Sequence, residues 1–543
     1  MSRNTKSRWR SLLKAHRLLA VHGVFLLVAI ASSGVAETVS EQPPISSPLP
    51  NPIATADGTS TLFDDSGVQF ISHKEPVPAY KPYALFAANG VDHGAESSDS
   101  VTDRLDELEQ QFQDLSSDYE KLQGKYGDLK SSLKNYAKTG HKDATMVVNG
   151  RVHVDNWSFP HLSPGANAFE NGNKDLPVQD RIGFRRLRFG VKGDVWKNML
   201  YKIEMEFAGG NKSEFRDAYL GFKDLPIVQR VLIGNQKRPY GLDHLNSSRY
   251  NVFLERPFVI EAFNQDSRRL GIAAYSYSED LRWNWRYGLY NLRLVQDEGN
   301  YISDHCQGEF AYRLAHTPWY DECSDGRGYL HLGVAGTFAD PDGFTAEEVA
   351  LKRADNEARF RTRPEARTVT RWLDTQEIPY ADNYQLLGWE TVFNVGAFQF
   401  CGEYQNIWLQ RNDDLSELHF HGGYMYVAYF LTGDHMPWDR KRGTLGRIKP
   451  IEKFFLVDRC GGGHGHGWGA WQVALRWSYL DLTSGDVQGG VGDSLTLGLN
   501  WYWNAYARMQ FNYIYGNIYK HRPVDGETFG NYQIAGTRFM VDF

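Results

Sequence analysis

The chain has 543 residues, a formal net charge of -7, 52 glycines, 14% aromatic residues and only 4 cysteines. It is too long for one ordinary soluble domain, and beyond the first forty residues no apolar run could form a spanning helix. A mean hydropathy of -0.50 combined with so many aromatics and glycines fits an all-β protein whose strands alternate apolar and polar residues.

The N-terminus reads as a targeting segment. "MSRNTKSRWRSLLKAHR" is strongly basic, "LLAVHGVFLLVAIA" (Leu18 to Ala31) is a short apolar run, and "SSGVA" supplies small residues. Cleavage after Ala36 is expected, which makes 1–36 a signal peptide and the mature chain an exported one. An uncleaved membrane anchor is the alternative. Residues 37–100 are rich in Pro, Ser, Ala and Gly and lack periodicity, as in a disordered linker.

Residues 101–137 follow a different rule. Leu105, Leu108, Phe112, Leu115, Tyr119, Leu122, Tyr126, Leu129, Leu133 and Tyr136 recur in steps of three and four. This is the a/d stripe of a short N-terminal coiled-coil helix, placed in the periplasm by export and able to reach the cell wall. Gly124 and Gly127 weaken its middle, and the alternative is one amphipathic helix folded onto the rest of the chain.

From residue 144 to 543 the period changes to two. "TMVVNGRVHVD", "LRFGVKGDV", "YKIEMEFAG", "RDAYLGFKD", "QRVLIGNQK", "RLGIAAYSYS", "RWNWRYGLYN" and "GEFAYRLAH" alternate. So do "YLHLGVAGTF", "YQLLGWETVF", "VGAFQFCGEYQ", "HFHGGYMYVAYFL", "GAWQVALRWSYLDL", "DSLTLGLNWYWN", "YARMQFNYIYGN" and "YQIAGTRFMVDF". About sixteen segments of roughly ten residues predict a sixteen-stranded antiparallel transmembrane β-barrel facing outer-membrane lipid. Short turns such as "KDLPIVQ" alternate with long connections. A soluble sandwich does not use this many strands, and aromatic clusters such as "NWYWNAY" mark strand ends as an interfacial girdle would. Phe539, Val541 and the terminal Phe543 share one face, the usual signal for the outer-membrane assembly machinery.

Cys306, Cys323, Cys401 and Cys460 form no CxxC pair, and their disulfide state stays open. "CGGGHGHGW" (Cys460 to Trp468) reads as a flexible loop rather than a metal site. Neither G-x-S-x-G nor H-E-x-x-H occurs, and no motif supports nucleic-acid binding.

The blocks "FRRLRFGVKGDVWKNMLYKIEMEFAGG", "FRDAYLGFKDLP", "GNQKRPYGLDHLNSSRYNVFLERPF" and "LTGDHMPWDRKRGTLGRIKP" occur in that order. With them the chain from 144 to 543 resembles the phosphate-selective porins of the porin O and P type. The resemblance implies an anion-selective outer-membrane diffusion channel, a homotrimer with inward-folded segments, small inorganic anions as partners, no cofactor and no enzymatic activity. By matching motifs it implies anion-binding roles for Arg151, Arg185, Arg186, Asp217, Ser247, Ser248, Arg249 and Arg256. A further block, "EARFRTRPEARTV", looks like the family's arginine ladder, with Arg359, Arg361 and Arg363 at alternate positions and Arg367 soon after. In extended backbone such residues share one side at a spacing of about 6.6 Å. The acids Glu347, Glu348, Asp355, Glu357 and Glu365 nearby dilute this field, and Arg249 fills the family's central lysine position.

Two adjacent arginines cannot both face a lumen from a regular strand. Arg185 and Arg186 therefore predict a bulge or a place at the strand's edge. They are expected to converge with Arg256 at a constriction. The turn carrying Arg440, Lys441, Arg442, Arg447 and Lys449 fits either a solvated periplasmic turn or a lumen element. A structural envelope protein, its barrel anchoring the coiled coil, is the alternative function.

Overall fold

Strict alternation turns into strands because every second side chain then meets the same medium. In the computed structural model, which describes residues 110–117, 119–121, 144–209, 213–264, 268–295, 306–341, 358–458 and 463–543, sixteen strands close into one antiparallel barrel. They begin with β1 (Val147–Leu162), β2 (Arg181–Trp196), β3 (Met199–Glu206), β4 (Glu214–Lys223) and β5 (Arg230–Lys237). Next come β6 (Arg268–Tyr277), β7 (Trp283–Asn291), β8 (Gly308–Tyr320) and β9 (Gly328–Ala339). A short pair, β10 (Arg361–Thr362) and β11 (Leu373–Asp374), lies in the connection to β12 (Ala381–Val395), β13 (Phe398–Arg411) and β14 (Leu418–Phe430). Two more pairs follow, β15 (Trp438–Asp439) with β16 (Thr444–Leu445) and β17 (Phe454–Asp458) with β18 (His464–Trp468). The wall finishes with β19 (Ala470–Ser484), β20 (Val487–Tyr502), β21 (Ala507–His521) and β22 (Gly530–Asp542). Each alternating segment of the sequence falls on one wall strand. β1 pairs with β22, with Arg151 opposite Asp542 and Asp155 opposite Arg538.

Burial is inverted relative to a soluble protein. Leu495, Leu497, Tyr513, Tyr515, Phe539 and Val541 are exposed, while Asn500, Gln510, Arg476, Arg508 and Arg538 are buried. An apolar outside and a polar inside are what a barrel in lipid requires. Among the described residues no helix is long and apolar enough to cross a membrane.

Three connections fold inward. Residues 238–264 carry α2 (Leu242–Leu245) and α3 (Phe258–Asn264), after α1 (Pro164–Asn171) earlier in the chain. Phe258, Val259, Ile260 and Phe263 are buried, and Phe263 meets Phe360 edge-on at 5.7 Å. Residues 358–380 lie beside this segment. By strand alternation both enter from the end opposite the C-terminus, whereas residues 434–450 enter from the C-terminal end. Of the two readings for the basic turn, the lumen element holds. Met436, Thr444, Leu445 and Ile448 are buried, and wall arginines donate to its carbonyls, Arg313 to Gly443 at 2.7 Å and Arg286 to Arg442.

The predicted bulge is present. His153 pairs with Arg186 but Val154 pairs with Phe184, so Arg185 is the extra residue. The C-terminal residue closes the wall: the amides of Gly150 and Phe543 donate to each other's carbonyls at 2.9 and 3.1 Å. A Cβ at position 150 would lie 2.4 Å from the Phe543 ring, so this glycine is the ring's seat. Deleting Phe543 should lower the yield of inserted, heat-modifiable barrel in outer-membrane fractions, because the last strand loses both these bonds and its outward ring. Undiminished yield would reject that role.

Residues 110–117 and 119–121 are helical, and Phe112, Leu115 and Tyr119 on them are exposed. This is one short helix; the rest of the expected coiled-coil stretch 101–137, the signal segment and the linker lie outside the described residues. Cys306, Cys323 and Cys401 are free, and Cys460 lies outside the described residues.

Candidate functional site: a clamped arginine row in the lumen

The stretch after Arg359 does not stay extended. β10 is two residues long, and Glu365 adopts a left-handed φ of 58°, so the chain turns after Arg363. The expected ladder of free, evenly spaced guanidinium groups is therefore corrected. Arg359 donates from Nε and Nη2 to the two oxygens of Asp374 at 2.9 and 2.6 Å. Arg363 donates to Glu261 at 2.8 Å. Arg361 lies in β10, in register with Asp374.

Arg185 reaches the same region from the wall and grips Glu255 with two bonds of 2.6 and 2.7 Å. Burial alone would raise the Glu255 carboxyl, but Arg185 and Arg538 hold it well below the usual range. Arg367 differs from the other three. It is exposed and makes no ion pair with a carboxylate among the described residues. The positive charges of Arg185 first and then Arg363 push it down to about 10, so it remains charged at neutral pH.

A second group lines the wall toward the C-terminal end. Arg151 donates to Ser248 at 2.8 Å and to Glu204 at 3.1 Å. Arg188 pairs with Glu206 at 2.6 Å. Asp217 is not open to a ligand, since Lys202 at 2.6 Å and Arg268 both bind it. Arg249 pairs with Asp542 at 2.9 Å, and its amide donates to Ser247 at 3.4 Å. Arg186 sits 3.4 Å from a ring nitrogen of His153 and has no carboxylate partner among the described residues.

The expected meeting of Arg185, Arg186 and Arg256 is not what forms. Arg185 goes to Glu255, Arg186 to His153, and Arg256 to Asp243 at 3.5 Å on its own segment. The residues missed from sequence are Glu255, Glu261 and Asp374. Glu255 adjoins Arg256 in the "LERP" block, which is the only local hint. Glu261 has none, being 102 positions from Arg363. Arg367 stood in the quoted stretch on the same parity as the other three, with Glu365 between it and Arg363.

Chemically, the row offers guanidinium forks matched to oxyanions, three of them already holding a carboxylate.

The family model for phosphate-selective porin O and P matches residues 162–543. An uncharacterized protein of Caulobacter vibrioides is 28% identical over 411 residues, covering 74% of each chain. Among solved structures, the chain resembles OmpT of Vibrio cholerae (11% identity, 74% of this chain and 100% of that one, TM-score 0.44). It also resembles an anion-selective porin from Comamonas acidovorans (12% identity, 73% and 100%, TM-score 0.43). A family model covering most of the chain, together with a closed sixteen-stranded barrel with an apolar exterior, makes this protein an outer-membrane porin channel that belongs to the phosphate-selective porin O and P family.

Proposed function

We propose that the channel passes small oxyanions, phosphate among them, in preference to cations. The observation that carries this reading is the row of Arg359, Arg363 and Arg367 on the inward segment with Arg185 reaching it from the wall, and with no carboxylate on Arg367 among the described residues. Selectivity of this kind needs sites that attract an ion and release it again, and a series of forks meets that need. The net charge of -7 is no obstacle, because charge lining a low-dielectric lumen sets the local field. The family's description adds phosphate to the reading. Assembly as a homotrimer belongs to the same proposal.

The test is the reversal potential under a potassium chloride gradient. Replacing Arg359, Arg361 and Arg363 by alanine should lower the anion-to-cation permeability ratio while heat-modifiable barrel still forms. An unchanged ratio and conductance would count decisively against the reading.

One observation favours a second role. Phe112, Leu115 and Tyr119 lie on a helix at 73%, 70% and 65% exposure, an apolar stripe with nothing covering it among the described residues. We infer that it pairs in a periplasmic coiled coil that helps hold the envelope together. Deleting residues 101–137 should weaken envelope attachment and leave conductance intact.

A further inference from the structure

We propose that Glu261 and Asp374 are specificity-determining residues: they act as built-in competitors that let two-oxygen anions onto the arginine row and hold halides off it. The inference rests on the anion-channel reading above and deepens it.

A passing anion does not meet a bare guanidinium at Arg359 or Arg363. Asp374 already satisfies Arg359 with two parallel bonds of 2.9 and 2.6 Å, and Glu377 adds a longer contact at 3.6 Å. Glu261 satisfies Arg363 with one oxygen at 2.8 Å and takes the Arg363 amide and the Thr362 hydroxyl on the other at 3.2 Å. To bind, an incoming ion must displace a carboxylate. Carboxylate and phosphate present two oxygens at the spacing the fork requires, so they can replace both bonds at Arg359; at Arg363, whose Nε donates to the Thr368 carbonyl at 2.9 Å, they replace the single bond to Glu261. Chloride is a single spherical centre and replaces them poorly.

Exposure separates exchangeable pairs from structural ones. The Arg359 and Glu261 side chains are 24% and 27% exposed, so water and ions reach these pairs. Arg476 with Glu365, at 2% and 0%, is sealed. A displaced Glu261 can turn toward solvent, while a displaced Glu365 could not. Asp374 is less accessible than its arginine, at 8%, but it also accepts the Gln376 amide at 2.9 Å and would keep that bond when Arg359 leaves. The row therefore pairs two exchangeable clamps with Arg367, which has no carboxylate partner among the described residues and supplies attraction without discrimination.

The experiment uses the full-length channel in planar bilayers under bi-ionic conditions, chloride on one side and acetate or inorganic phosphate on the other. Glu261→Gln and Asp374→Asn, singly and together, remove the competing charge while keeping size and one acceptor oxygen. The double variant should carry more chloride current and lose oxyanion-over-chloride preference by about threefold or more. Asp486→Asn, which removes an ion-pair partner of Arg411 on the exposed turn after β19, should change neither. If either single variant folds and the double does not, the single is expected to move the ratio in the same direction. An unchanged or raised oxyanion preference in the folded variants overturns the proposal. If arginine replacement lowers anion preference but the carboxylate variants do nothing, only the clamps are wrong. If the wild-type channel shows no anion preference, the channel reading and the clamps fall together.

Discussion

Replacing Arg367 by alanine should reduce anion conductance more than removing a whole clamp by Arg363→Ala with Glu261→Gln. Arg363 and Glu261 form a charge-neutral unit, so removing both together leaves the net field almost unchanged. Arg367 has no such partner among the described residues and stands near Arg185 and Arg363. Two unit charges 4 Å apart interact by about 4 kcal/mol at an effective dielectric of 20, and exposure to water reduces this several-fold. A remainder of about 1.4 kcal/mol corresponds to about tenfold in local anion concentration. Single-channel conductance in dilute chloride should fall by roughly that factor, and less in concentrated salt, where screening shortens the field's reach. Arg367→Lys should keep most of the conductance, since attraction here depends on charge more than on the fork. Equal losses for Arg367→Ala and the Arg363→Ala/Glu261→Gln double variant would mean that net charge at the row does not set the conductance.

The second large effect is expected at Glu365. Its carboxylate accepts from Arg476 at 2.7 Å, Ser494 at 2.9 Å, Thr496 at 3.3 Å and the Phe258 amide at 3.1 Å. One buried side chain thus ties residues 358–380 both to the wall strands β19 and β20 and to the start of α3. Glu365→Ala leaves Arg476 charged and uncompensated in a sealed site, a loss of about 3 to 5 kcal/mol. The wall's own ladder bonds are untouched, so the barrel should still insert while both inward segments loosen. Larger and noisier conductance steps are expected, with new protease cuts within 358–380. Glu365→Gly separates two causes, because glycine relieves the positive φ of 58° yet removes the same carboxylate. If glycine behaved like wild type, backbone strain and not the ion pair would be the controlling feature.

The candidate site was legible only in part. Its arginines are visible as a block, and Arg185 beside Arg186 announces a bulge that the β1–β2 register contains. Their partners are invisible, because ion pairing depends on distance in space and carries no local signature. Glu255 lies 70 positions from Arg185, and Asp542 closes onto Arg249 from the far end of the chain.

By itself the sequence determined the wall: period-two alternation is a local property, each strand displays it without reference to its neighbours, and sixteen such segments leave a closed barrel as the way to pair every edge. The terminal face of Phe539, Val541 and Phe543 was readable for the same reason. Tertiary structure alone decided how the lumen is filled and charged. The turn at Glu365, the inward path of residues 238–264, 358–380 and 434–450, and the choice of Glu261 and Asp374 as clamps follow from packing between segments far apart in the chain. No periodicity encodes such contacts, because opposite charges pair wherever the fold brings them within reach and burial leaves them no water to turn to.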